Sequence, residues 1–240
     1  MKIYPSYAYS YNQLSKRCSQ PQFTSAKVEC FDTTEFLRED FDWMGFVHKI
    51  NNIYKDEAKV NVVSYACSTG KETYSLALAF KTLMRENSNK LMPIIAKDID
   101  SNSVLKAKRG RYKISNQEAY RLDSLGDKNL YRYIDIVDDG LEKYAFVKDT
   151  LKKDINFSKA DICQDIDTIP TKNTVLLCRN FWGYLSGQEQ VMLADKLAKL
   201  LDKTCLLAIG SFDRVCGMDR MLEERGFKLT DIPFLYRKLK

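Results

Sequence analysis

Residues 61–80 read NVVSYACSTGKETYSLALAF, and this stretch decides the fold. Its first part, up to Ala66, is a nearly continuous apolar and β-branched run, which is typical of a strand buried on both faces. Small residues around Gly70 then form a turn, and Leu76 and Phe80 begin an apolar stripe with helical spacing. The stretch therefore predicts a buried strand, a tight turn and a helix.

Strands and helices alternate along the rest of the chain. Further strands are predicted within residues 91–98, 143–147, 155–162, 173–178 and 204–211, and two strand runs around Pro233 indicate a terminal hairpin. A small antiparallel insertion is expected near residues 140–158. This alternation predicts a mostly parallel α/β sheet with helices on both faces and an antiparallel edge.

The size of the chain supports one main domain. It has 240 residues, of which 45% are apolar. We expect residues 1–55 to form an N-terminal arm and a helix from about residue 35 to 54, and residues 56–240 to form the main domain. Because no apolar stretch has the length of a membrane span or the pattern of a signal peptide, we expect a cytoplasmic protein.

Histidine and cysteine usage predicts that the chain has no metal site. His48 is the only histidine, and none of the seven cysteines forms a Cys-x-x-Cys pair. The net charge of +6 is modest, but KAKRGRYK at residues 106–113 is a local basic cluster. Such a cluster is most often a solvated face, and the alternatives are a nucleic-acid contact or an acidic protein partner.

The Gly-Lys pair at residues 70–71 does not indicate a phosphate loop. That loop needs Gly-x-x-x-x-Gly-Lys followed by Ser or Thr, because backbone N–H groups wrap the phosphates and the hydroxyl holds magnesium. Here Tyr65 stands at the first glycine position and Glu72 at the hydroxyl position. Binding of a nucleoside triphosphate through this motif is therefore excluded.

The same turn suits a nucleoside cofactor without a phosphate. Gly70 lies in the first βα turn, and Asp98 ends the next predicted strand, where a carboxylate can accept hydrogen bonds from a ribose diol. Glu72 would repel a pyrophosphate but could accept from an ammonium, although an acid at a helix start also simply complements the helix dipole. Asp161 and Ile162 follow a third strand and could meet an adenine, or Asp161 could be an exposed loop residue. S-adenosylmethionine (SAM) has all three of these groups and no phosphate.

Four segments resemble the signatures of CheR-type chemoreceptor glutamate methyltransferases. CSTGKETYSLAL (67–78) resembles the family's Ser-Thr-Gly-Glu-Glu-Pro-Tyr-Ser, and DTTEFLRE (32–39) its Asn-x-Thr-x-Phe-Phe-Arg-Glu. AKDIDSNSVLKAKRGRY (96–112) and LLCRNFWGYLS (176–186) resemble two further motifs in the same order. The resemblance implies a Rossmann-like class I methyltransferase with a seven-stranded sheet, which uses SAM and releases S-adenosylhomocysteine.

The resemblance also implies the roles of individual residues. Glu72 would bind the methionine ammonium, Asp98 the ribose and Asp161 the adenine. The implied cofactor-binding set is Asp32, Thr34, Arg38, Ala66, Ser68, Gly70, Glu72, Asp98, Asp161, Ile162, Arg179 and Asn180. The implied catalytic set is Arg38, Arg179 and Tyr184. Without the motif context, structural ion pairs for the two arginines and packing for Tyr184 would be the simpler interpretations.

The chain departs from the family pattern at several positions. Lys71 replaces an acid, Thr73 a proline, Asp32 an asparagine and Leu37 a phenylalanine. About 30 residues precede the first motif, so we expect a shortened N-terminal region in place of the family's helical receptor-binding domain. This departure affects the assignment of the substrate more than that of the cofactor.

The predicted function is O-methylation of protein glutamate. After the fourth strand the chain has Cys-Arg-Asn-Phe rather than the Asn-Pro-Pro-Tyr of many amino-directed nucleic-acid methyltransferases, and arginine suits a carboxylate acceptor. We expect an acidic protein substrate such as chemoreceptor helices, no nucleic-acid partner, no membrane insertion and a monomer. The alternatives are a non-catalytic adaptor that binds SAM with the same fold, and an RNA methyltransferase.

Overall fold

The computed structural model describes residues 34–125 and 128–239, and the predicted site residue Asp32 lies outside these ranges. From residue 34 onward the described chain belongs to one compact unit. This unit includes the helix that the sequence analysis placed with the N-terminal arm. No helix in the described ranges has the length and apolar character that a membrane crossing requires.

Ten strands in the described part of the chain form two sheets. The strands are β1 Asn61–Tyr65, β2 Ile94–Asp98, β3 Arg111–Ile114, β4 Ile134–Asp138, β5 Lys143–Val147, β6 Ile155–Lys159, β7 Thr174–Cys178, β8 Leu206–Ile209, β9 Phe227–Leu229 and β10 Leu235–Lys238. Seven of them form the main sheet in the order β6-β2-β1-β7-β8-β10-β9. The first five in this order pair in parallel, and β10 pairs antiparallel with both β8 and β9. The predicted parallel sheet, antiparallel edge and terminal hairpin are confirmed.

The small antiparallel sheet lies earlier in the chain than the predicted segment 140–158. It consists of β3, β5 and β4 in that order, and so spans residues 111–147. The segment 155–159 instead forms β6 in the main sheet, parallel to β2. The apolar pattern showed a strand at 155–159, but the choice between two sheets depends on pairing with distant residues.

Nine α-helices connect these strands. They are α1 Trp43–Ile53, α2 Lys71–Leu83, α3 Ser101–Arg109, α4 Asn116–Asp123, α5 Asp149–Lys152, α6 Ile162–Asp165, α7 Gly187–Leu200, α8 Ser211–Val215 and α9 Met218–Glu223 within the described ranges. Short 3-10 turns occur at Arg85–Leu91, Lys128–Arg132, Ile166–Thr168 and Trp182–Tyr184.

The main sheet is buried on both faces, as the run in β1 predicts. Alternate residues of β1 point to opposite faces, so Val62 joins the core that contains Phe80 of α2, and Val63 joins the core that contains Leu193 of α7. All of these side chains are buried. Helices cover both faces of the sheet. The loops at its carboxyl edge are therefore the parts that can form a ligand-binding site.

Helix α1 begins at Trp43, eight residues later than the start that the apolar pattern predicts. The backbone N–H groups of Phe36 and Leu37 donate to side chains of other elements, at 3.0 Å and 2.9 Å respectively. Leu37 also has a φ of 47°, which a helix does not allow. Asp42 then caps α1 by accepting from the N–H of Gly45 at 2.9 Å.

Candidate functional site

The turn between β1 and α2 has an unusual backbone. Ala66, Ser68 and Gly70 have φ values of 52°, 48° and 88°, and for the first two this left-handed conformation costs on the order of 1 kcal/mol each. A Cβ atom at Gly70 would lie 2.8 Å from the Cβ of Ala107, because α3 packs closely here. Glycine is therefore required at this position. The packing around the turn holds its backbone in the strained conformation.

Asp98, at the end of β2, reaches back to this turn. Its Oδ2 accepts from the backbone N–H of Ser68 at 2.6 Å, and its Oδ1 accepts from the N–H of Asp100 at 2.9 Å. Burial raises the pKa of Asp98, and the two backbone donors partly offset that effect. Because a carboxylate has about four acceptor positions, Asp98 can still accept hydrogen bonds from a diol.

Glu72 and Arg179 form an ion pair across the carboxyl edge of the sheet. Nη1 of Arg179 donates to Oε2 of Glu72 at 2.6 Å, and the arginine side chain is fully buried. The guanidinium also lies 4.3 Å from the ring centroid of Phe41. Glu72, for which the resemblance implies binding of the methionine ammonium, thus directly binds Arg179, for which it implies a catalytic role.

Asp40 extends this pair into a cluster. Its Oδ1 accepts from Nε of Arg38 at 3.2 Å and lies 3.5 Å from Nη2 of Arg179, and its Oδ2 accepts from the hydroxyl of Ser211 at 2.8 Å. Burial opposes ionisation of Asp40, but the two arginines and the serine outweigh it and lower the pKa of this carboxyl. The predicted residues Arg38 and Arg179 are therefore connected through one carboxylate.

Asn180 follows β7 and is held by Asp213. Its backbone, with a φ of 59°, donates to Oδ2 of Asp213 at 2.6 Å. The same carboxylate accepts from the N–H groups of Gly210 at 2.7 Å and Trp182 at 3.1 Å. The side-chain oxygen of Asn180 accepts from the N–H of Phe212 at 3.3 Å, so this amide contributes to the local structure.

The Asp213 carboxylate gives the fold a pH dependence. Burial raises the pKa of Asp213 to about 6 from its ordinary value of 3.8, against three backbone donors that lower it. Because the folded state then binds the proton more tightly than the unfolded state, this contribution to stability is complete below about pH 3 and is lost as the pH rises through about 6. We expect the free energy of unfolding of wild type, relative to the variant Asp213→Asn, to fall by about 2 kcal/mol between pH 4 and pH 7. Urea unfolding of both proteins across this range measures it, and a constant difference would contradict it.

The family follows from a comparison with known proteins. The model described as "CheR methyltransferase, SAM binding domain" matches residues 32–229. The chain belongs to this family. The family match confirms the resemblance, the methyltransferase fold class and SAM as the cofactor of this domain.

Curated proteins that are similar to this chain include chemotaxis protein methyltransferases. One from Borreliella burgdorferi is 28% identical over 77% of this chain and 65% of its own length. One from Campylobacter jejuni is 26% identical over 76% of this chain and 64% of its own length. The chain thus spans slightly less than two thirds of the length of these relatives.

A solved TehB-like SAM-dependent methyltransferase from Corynebacterium glutamicum matches this chain at 12% identity. The match covers 79% of this chain and 76% of that one, with a TM-score of 0.42. The assignment of the CheR-domain fold rests on the sheet topology and the family match.

The remaining predicted residues of this CheR domain lie around the same edge. Asp161 caps α6 by accepting from the N–H of Cys163 at 2.9 Å, and Ile162 beside it is buried. Tyr184 lies in a 3-10 turn, where its side chain is 51% exposed and its ring centroid is 6.3 Å from that of Phe212. Thr34 lines a small cavity beside the β1–α2 turn. Asp161 contacts the start of its own helix, and Tyr184 contacts Phe212. Neither contact involves a ligand, so the roles implied for these two residues stay predictions.

Sequence reasoning missed Glu118, which joins three parts of the CheR domain. Its Oε1 accepts from Nζ of Lys71 at 2.9 Å and from the N–H of Phe36 at 3.0 Å, and Oε2 accepts from the N–H of Ser115 at 2.9 Å. Burial opposes ionisation of Glu118, but Lys71 and the backbone donors lower the pKa. The sequence carried a signal, because Ser115 and Glu118 have the spacing of a capping box. Asp40 and Asp213 had no comparable local signal.

Proposed function

We propose that this protein is a SAM-dependent methyltransferase that esterifies glutamate side chains of an acidic protein substrate such as chemoreceptor helices. Membership of the CheR family and the names of the curated relatives support this proposal. The observation that carries it is the position of three acids, because Glu72, Asp98 and Asp161 follow β1, β2 and β6, which are neighbours in the sheet.

The residues at this edge fit the chemistry of SAM. Asp98 faces the turn through Ser68 and has acceptor capacity for the ribose hydroxyls. Glu72 uses Oε2 for Arg179, and a carboxylate with further lone pairs can accept from the methionine ammonium. Arg179, the cation that binds Glu72, also binds Asp40, so its charge is compensated. A set of three acids suits a ligand with an ammonium and a diol rather than a phosphate.

Arg179 acts in this proposal as a positioning residue. Its side chain is fully buried and is bound by two carboxylates, so it holds Glu72 in place rather than facing an incoming substrate. Arg38 is more suited to the acceptor, because 26% of its side chain is exposed and it shares Asp40 with Arg179. A guanidinium binds a carboxylate through two parallel hydrogen bonds, which orients it.

Methylation of a carboxylate needs alignment more than acid or base catalysis. When bound, SAM supplies an electrophilic methyl group on a sulfonium. A glutamate acceptor is already ionised at neutral pH, since its ordinary pKa is about 4.3, so no general base is required. Arg38 and the half-exposed Tyr184 orient the acceptor carboxylate in this proposal.

A transfer assay with tritiated SAM tests this function. The purified protein is incubated with a bacterial lysate, and the labelled protein fraction is then treated with alkali. We expect volatile tritiated methanol, because carboxyl methyl esters hydrolyse in alkali whereas methylated amines and amides do not. The variant Asp98→Asn serves as a control for label that arises from other enzymes in the lysate.

Each other outcome rejects the proposal. Alkali-stable label on protein indicates an amine or amide acceptor, and label in nucleic acid indicates an RNA methyltransferase. Binding of SAM without any incorporation above the Asp98→Asn control indicates a non-catalytic adaptor.

A further inference from the structure

A basic cavity adjoins the β1–α2 turn. Its volume is about 220 Å³, and four of its seven lining residues are the cations Lys71, Lys106, Arg111 and Lys113. None of its lining residues is acidic. Three of the four cations belong to the basic cluster 106–113 that the sequence singled out.

Two lining residues place the cavity beside the proposed site. Thr69, which lies between Ser68 and Gly70, is one of its lining residues, and its carbonyl accepts from the hydroxyl of Tyr112 at 2.6 Å. Thr34, from the segment that also carries Arg38, lines the cavity as well. A ligand in this cavity therefore lies next to the residues proposed to bind SAM and the acceptor.

The cations differ in how their charge is compensated. Lys71 is bound by the buried carboxylate of Glu118 at 2.9 Å, so its charge is neutralised within the wall. Arg111 and Lys113 are exposed and lie on the same face of β3, because they are two residues apart in a strand. Lys113 pairs with Glu142 and Lys106 attracts Asp100, but these contacts are on the surface, where ion pairs exchange at little cost.

We propose that this cavity binds a second carboxylate of the protein substrate, distinct from the glutamate that is methylated. This inference rests on the proposed function and identifies the substrate as a segment with neighbouring acids. The volume suits one side chain, since sites for whole small molecules are about 300–1,000 Å³. Single-stranded nucleic acid is a poorer fit because its bases stack on exposed aromatic rings, and Tyr112, the aromatic lining residue, is buried.

The test compares two double variants with the same change of net charge. Arg111→Ala/Lys113→Ala removes two cations that line the cavity, and Lys108→Ala/Arg109→Ala removes two exposed cations of the same cluster that do not. The probe is a fluorescein-labelled polyglutamate peptide, and its binding is followed by fluorescence anisotropy at low salt. We expect the first variant to bind the probe about tenfold more weakly than wild type and the second to stay within about twofold.

The controls separate this inference from the proposed function. SAM titration and urea unfolding should be unchanged in both variants, which shows that the fold and the cofactor site are intact. Equal losses of peptide binding in the two variants would overturn the inference, because net charge alone would then explain the binding. Tighter binding of a labelled RNA oligonucleotide than of the peptide, with the same dependence on Arg111 and Lys113, would overturn it as well. A wild-type protein that binds no SAM would instead reject the proposed function.

Discussion

Replacing Asp98 by asparagine is expected to weaken SAM binding by about 10- to 100-fold. The proposed role of Asp98 is to accept charged hydrogen bonds from the ribose diol, and such bonds contribute about 1.5–3 kcal/mol each. The asparagine also places an amide group against the N–H of Ser68 or Asp100, which now donate to the carboxylate. Isothermal titration with SAM at neutral pH measures the effect.

A matched control uses an acid at the opposite edge of the sheet. Asp154 precedes β6 and pairs with Lys81 at 2.9 Å, so Asp154→Asn removes a partly buried carboxylate away from the proposed site. We expect wild-type SAM affinity in this variant. Equal affinities for wild type and Asp98→Asn, with both proteins folded by circular dichroism, would contradict the proposed ribose contact.

Replacing Arg179 by methionine is expected to lower the free energy of unfolding by about 3–5 kcal/mol. Methionine retains much of the side-chain length but leaves the carboxylates of Glu72 and Asp40 without their buried cation. The cost arises mainly from these uncompensated charges rather than from lost packing. Urea unfolding at neutral pH measures it.

Two further variants define the cause of that loss. Arg225 pairs with the half-exposed Asp195 at 2.7 Å, and Arg225→Met should cost less than about 1 kcal/mol. Adding Glu72→Gln to Arg179→Met should restore part of the stability, since one of the stranded charges is then removed. A double variant less stable than Arg179→Met would show that the charge of Glu72 is not the source of the penalty.

The sequence predicts those parts of the fold that depend on local patterns. The run in β1, the glycine at position 70 and the alternation of strands and helices are each visible within short windows, and the structure has all of them. The acids at strand ends could be placed at one edge because parallel strands share their carboxyl ends. The resemblance to the family then implied roles for these residues, and these roles stay predictions.

The parts that the sequence did not predict depend on distant partners. Glu72 and Arg179 are 107 residues apart, and no spacing rule indicates that they bind each other. The small sheet was predicted too far along the chain, because the composition of β6 fits either sheet. Its pairing with β2 is what assigns β6 to the main sheet. The start of α1 was placed too early because Phe36 and Leu37 donate to Glu118 and Ser75 instead of continuing the helical pattern.

Lys71 and Glu72 are adjacent in sequence but bind in different directions. Lys71 is held by Glu118 of α4, and Glu72 by Arg179 after β7. The first turn of α2 is thus held by ion pairs on two sides, so a shift of α4 away from α2 would stretch the pair of Lys71 and Glu118 or pull on the turn that carries Glu72. A protein that docks beside α4 and displaces it would therefore change the affinity for a ligand at the β1–α2 turn, and that ligand would change the affinity for the docked protein by the same factor.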